Sequence, residues 1–166
     1  MVSGNVPARR YCERQGDGIR RARPRSEKGF VVVTPKHPAP IELNLGPLPV
    51  DAINRTLGYD LEPGDVIFSS SAQKHAFGRH PDDFAKCLPH VGPIVRRPDF
   101  LGDDFKNSGA IELVSRIPAL GSGVLVALLV TPDDKGCYRI KSCYPVGYSR
   151  IERRRQSGRL IIPQWI

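Results

Sequence analysis

The chain has 166 residues, 40% of them hydrophobic, which suits one compact domain with a real core and leaves little room for a second. Its longest apolar run, VLVALLV at 124–130, falls far short of the roughly 20 residues a membrane-spanning helix needs, so no such helix and no membrane partner is expected. The net charge of +8 is gathered at the ends: residues 1–28 hold seven Arg and one Lys against three acids, residues 150–159 hold five Arg against one Glu, and the rest is near neutral. Two basic segments around a neutral body suit a polyanion such as RNA or DNA, because phosphate contacts dominate nucleic-acid affinity.

The first 28 residues are rich in Arg and Gly without an apolar period and read as a basic flexible arm or linker, leaving residues 29–166 as a single domain. The N-terminus lacks the apolar middle of a signal peptide. FVVV at 30–33 is a possible short strand, and the prolines of TPKHPAP forbid regular structure after it. PVDAINRTL, 49–57, predicts a short helix with Pro near its start and Gly58 just past its end. VIF then reads as a strand, and the serines that follow offer an N-cap to a helix running through AQKHAFGR until Pro81 stops it. DDFAKCL into HVGPIVRR continues as helix to a turn at RPDF.

After Phe100 the pattern changes. AIELVSRI, GVLVALLV and CYRIKSCYPV, joined by PALGS and TPDDKG, predict three strands in an antiparallel meander. Helices followed by strands indicate an α+β fold with the helices on one face of the sheet and the other face free for a ligand. No internal repeat is visible.

HAFGRHP, 75–81, carries the chemistry. His75 and Arg79 are four residues apart and share a helix face, whereas His80 points elsewhere unless the helix unwinds at Pro81. Two histidines five apart do not aim at one zinc, and His37 and His90 have no ligand spacing, so neither a metal nor another cofactor is expected. The four cysteines, at 12, 87, 137 and 143, include no CxxC pair and read as reduced thiols. An isolated histidine more often caps or packs. Beside an arginine, imidazole can move a proton while guanidinium steadies a phosphate oxyanion.

The last predicted strand adds a second group. Strict alternation puts Tyr138, Ile140, Ser142 and Tyr144 on one face and Arg139, Lys141 and Cys143 on the other. Ser142 can bond a phosphate and Tyr144 can stack a base, although both are also ordinary strand residues. Arg150 and the run containing Arg153 follow, placed to line the same groove.

An apolar strand, a serine, H-x-x-x-RHP, a Leu/Pro helix ending in IVRRPDF, a Val-rich strand and a final S-x-Y strand with a basic tail and GRL together resemble the phage-associated nucleases of the barnase, EndoU, colicin and RelE-like superfamily. The resemblance covers residues 64–161. It implies short N-terminal helices packed on a roughly four-stranded antiparallel sheet, metal-independent RNA cleavage, and use as a toxin or an effector delivered by phage or a secretion system. It also points to His75, Arg79, His80, Ser142 and Tyr144 as the catalytic group. The chain departs from the pattern at Lys141-Ser142-Cys143-Tyr144, where a threonine-rich strand is expected.

The expected reaction is attack of a ribose 2′-hydroxyl on the adjacent phosphorus. His75 acts as base, His80 as acid, and Arg79, with Lys141 or Arg150, stabilises charge. RNA, with transfer RNA among the candidates, is the expected partner. A cognate immunity or antitoxin protein and a cytoplasmic site, in the producing or the target cell, complete the expectation. A non-catalytic nucleic-acid-binding module and a partner-binding inhibitory protein are the competing classes.

Overall fold

The computed structural model describes residues 40–103 and 109–166; the basic arm and the expected strand at 30–33 lie outside the described residues. The described elements, in chain order, are β1 (Leu43–Pro47), α1 (Val50–Leu57), β2 (Asp65–Phe68), α2 (Ser70–Arg79), α3 (Pro81–Arg96), β3 (Phe100–Asp103), β4 (Ala110–Ile117), β5 (Ser122–Leu129), β6 (Tyr138–Val146) and α4 (Tyr148–Gln156). The α+β class holds. The expected four-stranded antiparallel sheet is corrected: among the described residues it has six strands in the order β1-β2-β6-β5-β4-β3, and β2 pairs with β6 in parallel.

Hairpins build β3 to β6 in sequence, each strand antiparallel to the last. The final strand then lands beside β2, which entered the fold before α2 and α3, and this long return makes the parallel pair. β1 extends the sheet by pairing with β2.

Helix ends follow local chemistry. Gly58, at φ 73°, closes α1 in the left-handed conformation that glycine adopts most readily. Ser69 caps α2, its side-chain oxygen accepting from the Ala72 N–H at 3.2 Å. Pro81 stands at the first position of α3, where a missing N–H is harmless. Pro89 and Pro93 lie inside that helix, four residues apart on its exposed side, so the carbonyls they leave without a donor face water.

One face of the sheet forms the main core with α1 and α3: Ile53, Phe84, Cys87, Val91 and Ile94 pack on Val66, Phe68, Ile111, Leu113, Val126 and Leu128. The opposite face is partly covered, another departure from expectation. There Ile151 of α4 and Leu160 pack on Phe100, Val114, Leu125 and Val146. α4 is a helix after the sheet that the sequence pattern did not announce. Buried Glu112 accepts a hydrogen bond from Arg154, which fixes the helix to β4. Gly123 allows the close approach, since a Cβ there would sit 2.5 Å from Ile151 Cδ1 and 2.8 Å from the Ser115 carbonyl oxygen.

Candidate active site

The site begins with how α2 is held. Gln73, almost wholly buried, donates from Nε2 to the Ile41 carbonyl at 2.6 Å and the Phe68 carbonyl at 2.9 Å, tying α2 to the end of β2 and to the segment before β1. Phe84 of α3 meets Phe68 and Phe77 edge to face, with centroids 6.1 and 6.2 Å apart. These contacts fix the two helices to each other and to the sheet.

Between them the backbone breaks. His80 has φ −149° and ψ 76°, serving as the last flanking residue of α2 and the first of α3. Its N–H still donates to the Ala76 carbonyl and its carbonyl accepts from Phe84, so both helix ends stay satisfied while the direction changes. The unwinding required to bring His80 round to His75 and Arg79 is present.

β6 supplies the other wall. Its alternation is not strict: Ser142 faces Ala127 and Ile140 faces Leu128, which makes Lys141 the extra residue of a β-bulge. The phase flips there, so Cys143 joins Tyr138 and Ile140 in the main core while Ser142 and Tyr144 turn to the opposite face, which corrects the expected faces of all three. Ser142 and Tyr144 keep a common face. β2 pairs with β6 only at Tyr138 and Arg139, which leaves the later half of β6 with one edge unpaired by any described strand.

A cleft of about 330 Å³ runs along that edge, lined by His75, Arg79, His80 and Asp83 from the helices and by Ser142 and Tyr144 from the strand. All five residues expected to form the catalytic group line it, although nearly 70 residues separate His75 from Tyr144. Lys141, Arg150 and Arg153, expected to bind substrate, do not; Lys141 is exposed at the bulge and the two arginines lie on exposed positions of α4. Asp83, Phe84, Cys143 and Pro145 also line the cleft and carried no expectation. Asp83 had a visible signal, since it stands four residues after Arg79 in the first turn of the next helix.

Cys143 offers no thiolate to this cleft. Burial, and then the neighbouring Cys87 thiol, push it up to about 12, so it is protonated near neutral pH. Cys87, Cys137 and Cys143 are all free thiols. Among the described residues no three His, Cys, Asp or Glu side chains converge as metal ligands would, and no helix is long and apolar enough to cross a membrane.

Imidazole, guanidinium and hydroxyl groups gathered in one cleft beside an open strand edge are chemically suited to contact with a phosphodiester. The family described as phage-Barnase-EndoU-ColicinE5/D-RelE like nuclease3 matches residues 45–153, well over half of the chain, and the chain belongs to that family. The match spans both walls of the cleft and ends within α4. No curated protein and no solved structure gives a significant match. Membership of a nuclease family makes nucleic acid the substrate class.

Proposed function

We propose that the protein is a metal-independent endoribonuclease and that the cleft between the α2–α3 junction and β6 is its active site. The observation that carries this reading is the convergence of His75, Arg79 and His80 with Ser142 and Tyr144 in one cleft. In the reaction His75 takes the proton of a ribose 2′-hydroxyl, and the resulting oxyanion attacks the adjacent phosphorus. Arg79 stabilises the charge that builds on the non-bridging oxygens. His80 gives a proton to the departing 5′-oxygen, leaving a 2′,3′-cyclic phosphate on one fragment and a free 5′-hydroxyl on the other. Ser142 donates to a phosphate oxygen, and the ring of Tyr144 stacks on a base.

The donor set supports this over hydrolysis by a metal-activated water. Such a site is built from several carboxylate or imidazole ligands around divalent ions and does not require a 2′-hydroxyl. Here guanidinium and imidazole stand beside the single carboxylate of Asp83. The phage association in the family's description supports a role as a toxin or delivered effector, acting on RNA in the cytoplasm and countered by a cognate immunity protein.

The test is cleavage of RNA, DNA and 2′-O-methyl RNA of one sequence in excess chelator. RNA alone should be cut, giving cyclic phosphate ends, and His75→Ala should lose roughly two to four decades of rate. Loss of activity in chelator with recovery on a divalent ion, or equal cutting of DNA, overturns the proposal.

A further inference from the structure

A second cleft, of about 590 Å³, opens at the opposite end of α3 and includes Arg97, Asp99, Phe100, Arg116, Arg155 and Trp165 in its walls. Its chemistry is more uniform than that of the first. The Arg97 guanidinium lies over the Trp165 ring at 5.3 Å from the centroid, and that of Arg116 lies over Phe100 at 5.0 Å. Arg116 and Arg155 both bond the carboxylate of Glu152, which draws the two guanidinium groups to one side of the cleft. Burial raises the Glu152 carboxyl, but Arg155 and Arg116 outweigh it and bring it below its ordinary value, so the pairing persists at neutral pH. The one acid in the wall, Asp99, accepts the Arg116 backbone N–H at 2.8 Å. With Glu152 counted beside Asp99, three guanidinium groups meet two carboxylates, and the cleft keeps a small positive excess centred on Arg97.

Trp165 is held in place by its chain. Leu101 and Ile161 exchange two backbone hydrogen bonds of 2.8 and 2.7 Å, Pro163 is buried, and the Gln164 N–H donates to Thr56 Oγ1 at 2.9 Å. A Cβ at Gly102 would lie 2.7 Å from the Arg159 carbonyl oxygen, so this glycine lets the terminal segment lie against β3. The indole is thus positioned before any ligand arrives, and it remains about a third exposed.

We propose that this second cleft binds a nucleotide of single-stranded RNA, with a base against Trp165 and a phosphate among Arg97, Arg116 and Arg155, outside the catalytic cleft. The reading rests on the proposed ribonuclease activity for its biological use, though not for its test. Arginine beside an accessible aromatic ring is the combination that holds unpaired bases and backbone together, whereas an acidic peptide would use the cations without the ring. The 16 residues of α3 separate the clefts by roughly 24 Å at a rise of about 1.5 Å per residue, so an RNA several nucleotides long spans both.

Trp165 is the chain's single tryptophan and reports on this cleft alone. The probe is a twelve-residue 2′-O-methyl oligonucleotide, which resists internal attack, titrated against full-length protein at low salt while indole emission is followed. Saturable quenching is expected, with the Kd raised roughly five- to tenfold in Arg97→Ala and in Arg155→Ala, while an oligoglutamate of equal charge leaves the emission unchanged. Because Arg97→Ala also alters the indole's surroundings, Arg155→Ala and a filter-binding measurement on Trp165→Ala give independent readings. An unresponsive indole, quenching equal with oligoglutamate, or affinities untouched by all three substitutions overturns the inference. Quenching in a protein that cuts no RNA would refute the catalytic proposal and leave this one standing; RNA cleavage with a silent indole would do the reverse.

Discussion

His80 closes α2 and Pro81 opens α3, and the backbone break between these two neighbours turns His80 into the cleft that His75 and Arg79 also line. A continuous helix would set His80 about 100° round the axis from Arg79. Pro81 prevents that continuation by disfavouring the helical conformation at the residue before it. Pro81→Ala removes the restraint. Cleavage should fall by about tenfold to a hundredfold through misplacement of His80, while circular dichroism shows helix content equal or slightly raised. Full activity in that variant would show that the break needs no proline.

Gln73 tests whether α2 is anchored as the hydrogen bonds indicate. Gln73→Leu keeps the size of the side chain but leaves the carbonyls of Ile41 and Phe68 without this donor. Urea unfolding should show a loss of about 1–3 kcal/mol. Activity should fall as well, because His75 follows two residues later on the same helix.

The buried thiols contribute a loss of stability at alkaline pH. Burial first, and the Asp83 carboxylate second, push Cys87 up to about 11 against a lowering pull from Lys86, and Cys143 stands at about 12. A thiol whose pKa is raised in the folded state keeps its proton there after the unfolded chain has lost its own. Its contribution is therefore complete below the ordinary thiol value of about 9 and is lost as pH rises toward 11–12. Each thiol contributes at most about 1.4 kcal/mol of loss per pH unit in that window. Chemical denaturation from pH 8 to 11 should show this decline, and Cys143→Val should reduce its slope.

The sheet and the helices differ in how much of them the sequence announces. β4, β5 and β6 are long apolar runs between turn-rich connections, and they appear within a residue or two of where pattern places them. β3 is only four residues long and follows Pro98 and Asp99, so it reads as a turn; its partner bonds come from β4, which local pattern does not reveal. β1 is a short strand whose Pro47 and Gly46 argue locally against pairing. α4 buries Ile151 alone, too little to give a helical period. Of the candidate site, the His75–Arg79 pair follows from helix spacing alone. The bulge at Lys141 is invisible in the sequence because it depends on β5, yet Ser142 and Tyr144 both lie beyond it and keep their common face.

Gly123 separates stability from chemistry. In Gly123→Ala the new Cβ meets Ile151 Cδ1 at 2.5 Å, which the flexible side chain can relieve, and the Ser115 carbonyl oxygen at 2.8 Å, which it cannot without movement of the strand. Overpacking of this kind costs about 1–3 kcal/mol. Thermal unfolding should register it as a lower Tm, with the rate of RNA cleavage kept at temperatures where the variant is folded, because Gly123 does not line the cleft proposed as the active site.

The division of labour between the two histidines can be read from the leaving group. On ordinary RNA, His75→Ala and His80→Ala should each lose roughly two to four decades, since one proton-transfer group is removed in either case. Replacing the bridging 5′-oxygen at the cleavage site with sulfur changes the demand: a thiolate departs without needing a proton, whereas the 2′-hydroxyl must still be deprotonated. His80→Ala should then approach the wild-type rate on the sulfur-bridged substrate, and His75→Ala should stay slow. The inverse pattern would exchange the two roles while leaving the cleft as the site of chemistry. If both variants remain slow on both substrates, the leaving group is not protonated by either imidazole, and Tyr144 on the facing strand becomes the acid to examine, through Tyr144→Phe on the same pair of substrates.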